Sequence, residues 1–298
     1  MTNKKIQNVW VFTSSMVLAG SIGIFVAGSG ISTFNVVFFR CLIAAPFLGI
    51  YALATKQFNL KAIKTQETGF IVLGGVFLVL NWYFLFKAFS LTSITLGIIS
   101  YNTAPFFLIL LGAVFLGEHI TVKASALTFV AFAGLIAITV GGQGISFNDP
   151  QVFLGIGSGV LAALFYAALT FCGKRVSKTS PIQVSFIQTV VGAVLLLPFT
   201  QLAEVVNGGT NWAYVISLGV VHTALLYVLF YQGIRGVAVK RLAVLQFVEP
   251  VVAVGSDVVF YNVVLAPIQI VGVVVILLAA YGVSQTDVKT TRAKAATT

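Results

Sequence analysis

Charge is scarce in this chain, and acidic charge scarcest of all: seven Asp and Glu among 298 residues, with charged types together at 8%. A soluble domain takes about a quarter of its residues from that group, so the sequence lacks the means to cover a water-facing surface. Cysteine is limited to Cys41 and Cys172, both inside apolar runs, where a thiol acts as a small hydrophobe and not as half of a disulfide. Histidine is limited to His119 and His222. With no H-E-x-x-H motif and no Cys and His cluster, neither a metal centre nor an intramembrane hydrolase is indicated. No cofactor and no enzymatic activity are expected.

What the chain has instead is apolar length, with hydrophobic residues making up 59%. About 20 apolar residues carry a helix across about 30 Å of hydrocarbon, and ten such runs occur, near 9–28, 34–55, 69–89, 93–116, 122–140, 150–172, 181–200, 212–234, 241–261 and 265–285. Run length rules out barrel strands. The run after MTNKKIQN exceeds a typical signal-peptide core, so it reads as a retained first span. Of the 17 Lys and Arg, all but Arg40 and Lys87 fall at one set of alternating ends, among them Lys4, Lys61, Lys174, Arg235 and Lys289. The opposite connections carry Asp149 and Glu204. This asymmetry predicts cytoplasmic termini and explains the net charge of +10 without nucleic acid.

A repeat is visible. Shifting by 145 residues lays YNTAPFFLILLGAVF, from Tyr101, over QFVEPVVAVGSDVVF, from Gln246, so that Pro105 meets Pro250. At an offset of 148, FNVVFFRCLIAA lies over IQVSFIQTVVGA and Gln188 meets Arg40. Five spans per half is odd, so the halves cross in opposite senses, an inverted repeat with a site expected near the midplane between them. The expected architecture is all-α and integral to the membrane: ten transmembrane helices in an inverted 5+5 repeat, over residues 1–145 and 146–298.

GSIGIFVAGSGIST, VVFFRCLIAA, FKAFSLTSITLGIISYNTAPFFLILLGAVFLGEHIT, LFYAALTFCGKR and FYQGIRGVAVKRLAVLQFVEPVVAV follow one another along the chain. In that order they resemble the drug/metabolite transporter superfamily, in its EamA-type branch. The resemblance implies a central cavity lined mainly by spans 1, 3, 4, 6, 8 and 9, and export or exchange of small metabolites. The family's span-ending FLGE is intact at Phe115 to Glu118, whereas the second copy reads FYNV from Phe260, a departure at the capping turn.

Polar residues inside the spans are the site candidates, since an Asp at a helix centre costs about 2.5–3.5 kcal/mol on insertion scales. Gln246, Glu249 and Asp257 share one stripe of the ninth span. Glu249 near the midplane either touches substrate or proton or holds the helix break together. Asp257, nearer the outside, is expected to pair with Arg40. Pro105 and Pro250 each remove a backbone hydrogen bond and act as hinges or shape the packing. His222 relays a proton or is a satisfied core group. Asn81, Trp82, Tyr101, Asn102 and Tyr166 complete the expected cavity lining. The Gly155 to Gly159 spacing permits close helix approach.

The expected function is a secondary transporter of the inner membrane, moving small metabolites such as amino acids or amphipathic solutes by alternating access. The alternative is a non-transporting membrane scaffold or a lipid-carrier flippase subunit. Expected partners are a small-molecule substrate and membrane lipids, not nucleic acid, and a homodimer is compatible with such a bundle.

Overall fold

The computed structural model describes residues 2–58, 67–92, 94–119, 121–140, 150–207, 209–262 and 264–295. Each apolar run becomes helix, because hydrocarbon offers backbone amides no water and a helix bonds them internally. In chain order these are α1 (Thr2–Gly28), α2 (Thr33–Ala54), α3 (Glu67–Leu91), α4 (Leu96–Leu116), α5 (Val122–Val140), α6 (Pro150–Arg175), α7 (Pro181–Leu196), α8 (Trp212–Gly233), α9 (Val239–Tyr261) and α10 (Pro267–Ala295). The first nine are long and apolar enough to cross a membrane, and the apolar part of α10, Pro267–Gly282, is shorter. Among the described residues there is no strand.

Three helices are interrupted. At α4, whose helix extends back to Ile94, segment Ile94–Tyr101 gives way to Ala104–Leu116, and in α9, Val239–Leu245 gives way to Val248–Tyr261. Pro105 and Pro250 fall in the first turn after each break, where a missing N–H removes no helical bond. The matched prolines therefore mark restarts of the helix rather than kinks within it. In α8, Val220–Leu225 forms a π turn, a local widening that re-aims carbonyls.

The ends of α4 and α9 correspond as well. Gly117 closes the first at φ 65°, its N–H bonding the Gly112 carbonyl, and Asn262 closes the second at φ 53°, bonding the Asp257 carbonyl. The departure from FLGE therefore leaves the cap in place, because Asn is the residue after Gly that best tolerates the left-handed region.

Three of the seven acids seat on the N-termini of helices from the other half. Glu67, opening α3, accepts from the amides of Ser177 (2.8 Å), Lys178 (2.9 Å) and Thr179 (3.0 Å), just ahead of α7. Glu204, ahead of α8, accepts from the Ser32 amide and hydroxyl and from Asn35 Nδ2, all at 2.6 Å, where α2 begins. Glu118 accepts from the Val239 amide at 2.8 Å where α9 begins, and pairs with Lys174 at 3.6 Å. Helix N-termini carry unbonded amides and a partial positive charge, so carboxylates settle there.

Packing follows the repeat. The principal partners are α3 with α6, α8 with α1, α2 with α7 and α8, α3 with α7, α5 with α10, α1 with α9, and α4 with both α6 and α9. Exchanging each helix with the one five places on maps this set onto itself. Close approaches use glycine: a Cβ at Gly20 of α1 would meet the Glu249 carbonyl and Val252 of α9, and one at Gly159 of α6 would meet Ser100 of α4. Gly155, one turn earlier, faces Leu91 and Thr92, so the glycine pair is a packing seam.

Candidate functional site

The offset of 145 that matches Pro105 to Pro250 also matches Trp82 of α3 to Tyr227 of α8. These two rings meet edge to face with centroids 6.3 Å apart. Repeat mates touch only where a pseudo-two-fold axis passes between them, so this contact marks the axis.

Around it lies a band of rings from both halves. Tyr227 packs on Phe230 (6.0 Å), Phe230 on Tyr166 (6.1 Å), and Tyr166 on Tyr101 (6.0 Å). The Tyr101 hydroxyl lies near the Asn81 side chain, whose Nδ2 donates to the Ala162 carbonyl at 2.8 Å. Glu249, from the restart of α9, lies within electrostatic reach of the hydroxyls of Tyr101, Tyr166 and Tyr227. It is half-buried, and its carboxylate accepts no hydrogen bond among the described residues. The Tyr166 hydroxyl and Gln246 Nε2 are buried without a hydrogen-bond partner among the described residues. Ala104 stands where the repeat would place a second copy of Glu249, so the carboxylate belongs to one half alone.

Arg40 sits at the edge of this group. Its Nε donates to Thr223 Oγ1 and its Nη2 to the His222 carbonyl, both at 2.9 Å, and its guanidinium lies 4.9 Å over the Trp82 ring. The carbonyl it uses belongs to the π turn. Gln188, its repeat mate, does the equivalent on the other side, with Nε2 donating to the Ile71 carbonyl of α3 at 3.3 Å and Oε1 accepting from the Tyr231 hydroxyl.

The expected Arg40 to Asp257 pair is therefore not formed. Arg40 spends its charge on the π turn and on Trp82, while Asp257 is exposed on α9, whose second segment packs on α1 and α10. Among the described residues the ion pair is Lys174 with Glu118. His222 is also apart from the tyrosines: its Nε2 lies 3.1 Å from Ser21 Oγ, its Nδ1 3.4 Å from the Ser217 carbonyl, and its ring 4.2 Å from Phe25. It fills the α1 to α8 contact. Asn102 bonds the Ile98 carbonyl at 2.9 Å and serves the end of its own helix segment. Asn81, Trp82, Tyr101, Tyr166 and Glu249 are the expected residues that gather, and Gln246 is buried one turn before Glu249 in α9.

Tyr227, Phe230 and Thr223 were not among the expected site residues. Carrying the repeat offset over to Trp82 would have found Tyr227. Nothing local signals Thr223, whose role depends on the π turn.

The comparisons with known proteins fall on these same two halves. The model of the EamA-like transporter family matches residues 6–140 and 153–285. An uncharacterized transporter of Bacillus subtilis, YxxF, is 37% identical over 83% of this chain and 79% of its own length. An uncharacterized transporter of Archaeoglobus fulgidus is 28% identical over 88% and 91%. A protein of known crystal structure superposes with a TM-score of 0.78, covering 93% of this chain and 96% of its own at 16% identity, which speaks to the fold alone. With both matched stretches carrying helices that meet at the axis, the chain belongs to the EamA-like transporter family and is a multi-pass membrane protein.

Proposed function

We propose that the chain is a secondary transporter of the inner membrane that exports or exchanges small metabolites, such as amino acids or amphipathic solutes, by alternating access. Ten spans form two inverted five-helix halves with cytoplasmic termini, and one half rocks against the other about the Trp82 to Tyr227 contact. The observation that carries this reading is the half-buried Glu249 together with two buried atoms, the Tyr166 hydroxyl oxygen and Gln246 Nε2, that find no hydrogen-bond partner among the described residues. Unmet polar capacity of that kind is costly unless a ligand or water meets it. The helix restarts at Pro105 and Pro250 are the hinges.

Counterflow in liposomes tests the proposal, with purified protein and a panel of amino acids and organic cations. Accelerated exchange of a panel member supports it. No exchange of any solute, together with a stoichiometric protein partner on purification, favours a scaffold.

A further inference from the structure

Glu249 differs from the other described acids whose hydrogen bonds are known. Glu67, Glu118 and Glu204 each grip backbone amides at a helix start. An acid that held the α9 break together would do the same, yet the Glu249 carboxylate bonds no amide among the described residues. Arg40, the cation near the group, already meets Thr223, the His222 carbonyl and the Trp82 face. The half-buried carboxylate is left with the tyrosine hydroxyls within its electrostatic reach.

Those neighbours have a preference of their own. Tyrosine ring faces carry negative potential and attract cations, and a carboxylate adds a full charge to the same side. Gln246 Nε2, one turn before Glu249, offers a donor, and the Tyr166 hydroxyl offers a donor and an acceptor. Beyond Tyr227 stands Arg40, which also acts on that hydroxyl and disfavours a second positive charge. We propose that Glu249, Tyr101, Tyr166 and Tyr227 recognise a solute with one cationic nitrogen on an apolar or aromatic body, while Gln246 and Tyr166 read an acceptor atom beside that nitrogen.

The inference rests on the transport reading of this centre, and the test separates the two. Titration calorimetry on the purified full chain in detergent compares phenethylamine with 2-phenylethanol and phenylacetate, which keep the body and change only the charge. Phenethylamine is expected to bind at least about tenfold more tightly than the alcohol, the scale of a charge-assisted contact, and phenylacetate more weakly still. Glu249→Gln is expected to erase that preference while the melting temperature stays near that of the native chain. Tyr166→Phe, which removes one hydroxyl, weakens phenethylamine less.

Equal binding of the three compounds, tighter binding of phenylacetate, or no binding of phenethylamine overturns the inference. A preference that survives Glu249→Gln overturns it too. If Glu249→Gln does not fold, the comparison of the three compounds on the native chain decides. Binding without counterflow keeps the recognition site and removes the transporter, whereas counterflow of other solutes by a chain that ignores phenethylamine does the reverse.

Discussion

Asn262 sits at φ 53°, a conformation that disfavours any side chain with a branched Cβ. Asn262→Gly is expected to leave the melting temperature unchanged or raise it. Asn262→Val is expected to destabilise by about 1–2 kcal/mol, the cost of left-handed backbone for an ordinary L-residue, measured by thermal unfolding in detergent. Glu249→Gln is expected to reduce counterflow by at least about tenfold with a native melting temperature, and transport that survives intact removes the carboxylate from the mechanism. The ring-forming residues were largely legible from the sequence, because Trp82, Tyr101, Tyr166 and Glu249 stand out as polar or aromatic groups in apolar runs. Arg40 was legible as a buried cation but not in its partners. Its acceptor is a carbonyl that the π turn of α8 frees, and no residue pattern announces that turn.

At the scale of helices, the same repeat that pairs the prolines also pairs the acid contacts. Glu67 grips the start of α7 and Glu204 the start of α2, and these helices occupy matching places in their halves. Ser180, the N-cap of α7, also bonds the Gln57 carbonyl just past the far end of α2, so the two grips lie at opposite ends of a helix about 33 Å long. Each carboxylate accepts three or more hydrogen bonds. Glu67→Gln and Glu204→Gln are each expected to cost about 1–3 kcal/mol, and the double variant to cost their sum, because groups this far apart do not couple. A double-variant cycle by thermal unfolding checks this, and strong coupling would mean that the grips do not act at separate ends. The sequence showed Glu204 only as an acid among connections without Lys or Arg. Its target appears once the two halves are packed together.

Over the whole molecule, the helix runs read from hydropathy match the folded helices closely, since membrane length and backbone satisfaction leave little freedom. The basic end of the bundle is expected to face the cytoplasm. The native cysteines are buried, so single cysteines report the orientation. Thr210→Cys is expected to react with a membrane-impermeant maleimide in intact cells, and Ser177→Cys only after lysis; the reverse pattern inverts the topology. In liposomes, an imposed pH gradient is expected to alter the rate of counterflow if Glu249 exchanges a proton with substrate, and indifference to the gradient excludes obligatory proton coupling.

The pairing of Ala104 with Glu249 has a kinetic consequence. In an inverted repeat, the state open to one side becomes the state open to the other when the halves trade conformations. Two identical halves would make those states equal in energy and an empty carrier indifferent between them. On the proposed mechanism an acid present in one half adds a charge to the differences between the halves, so the unloaded protein would favour one side of the membrane, and a ligand that neutralises Glu249 would lower the cost of leaving it.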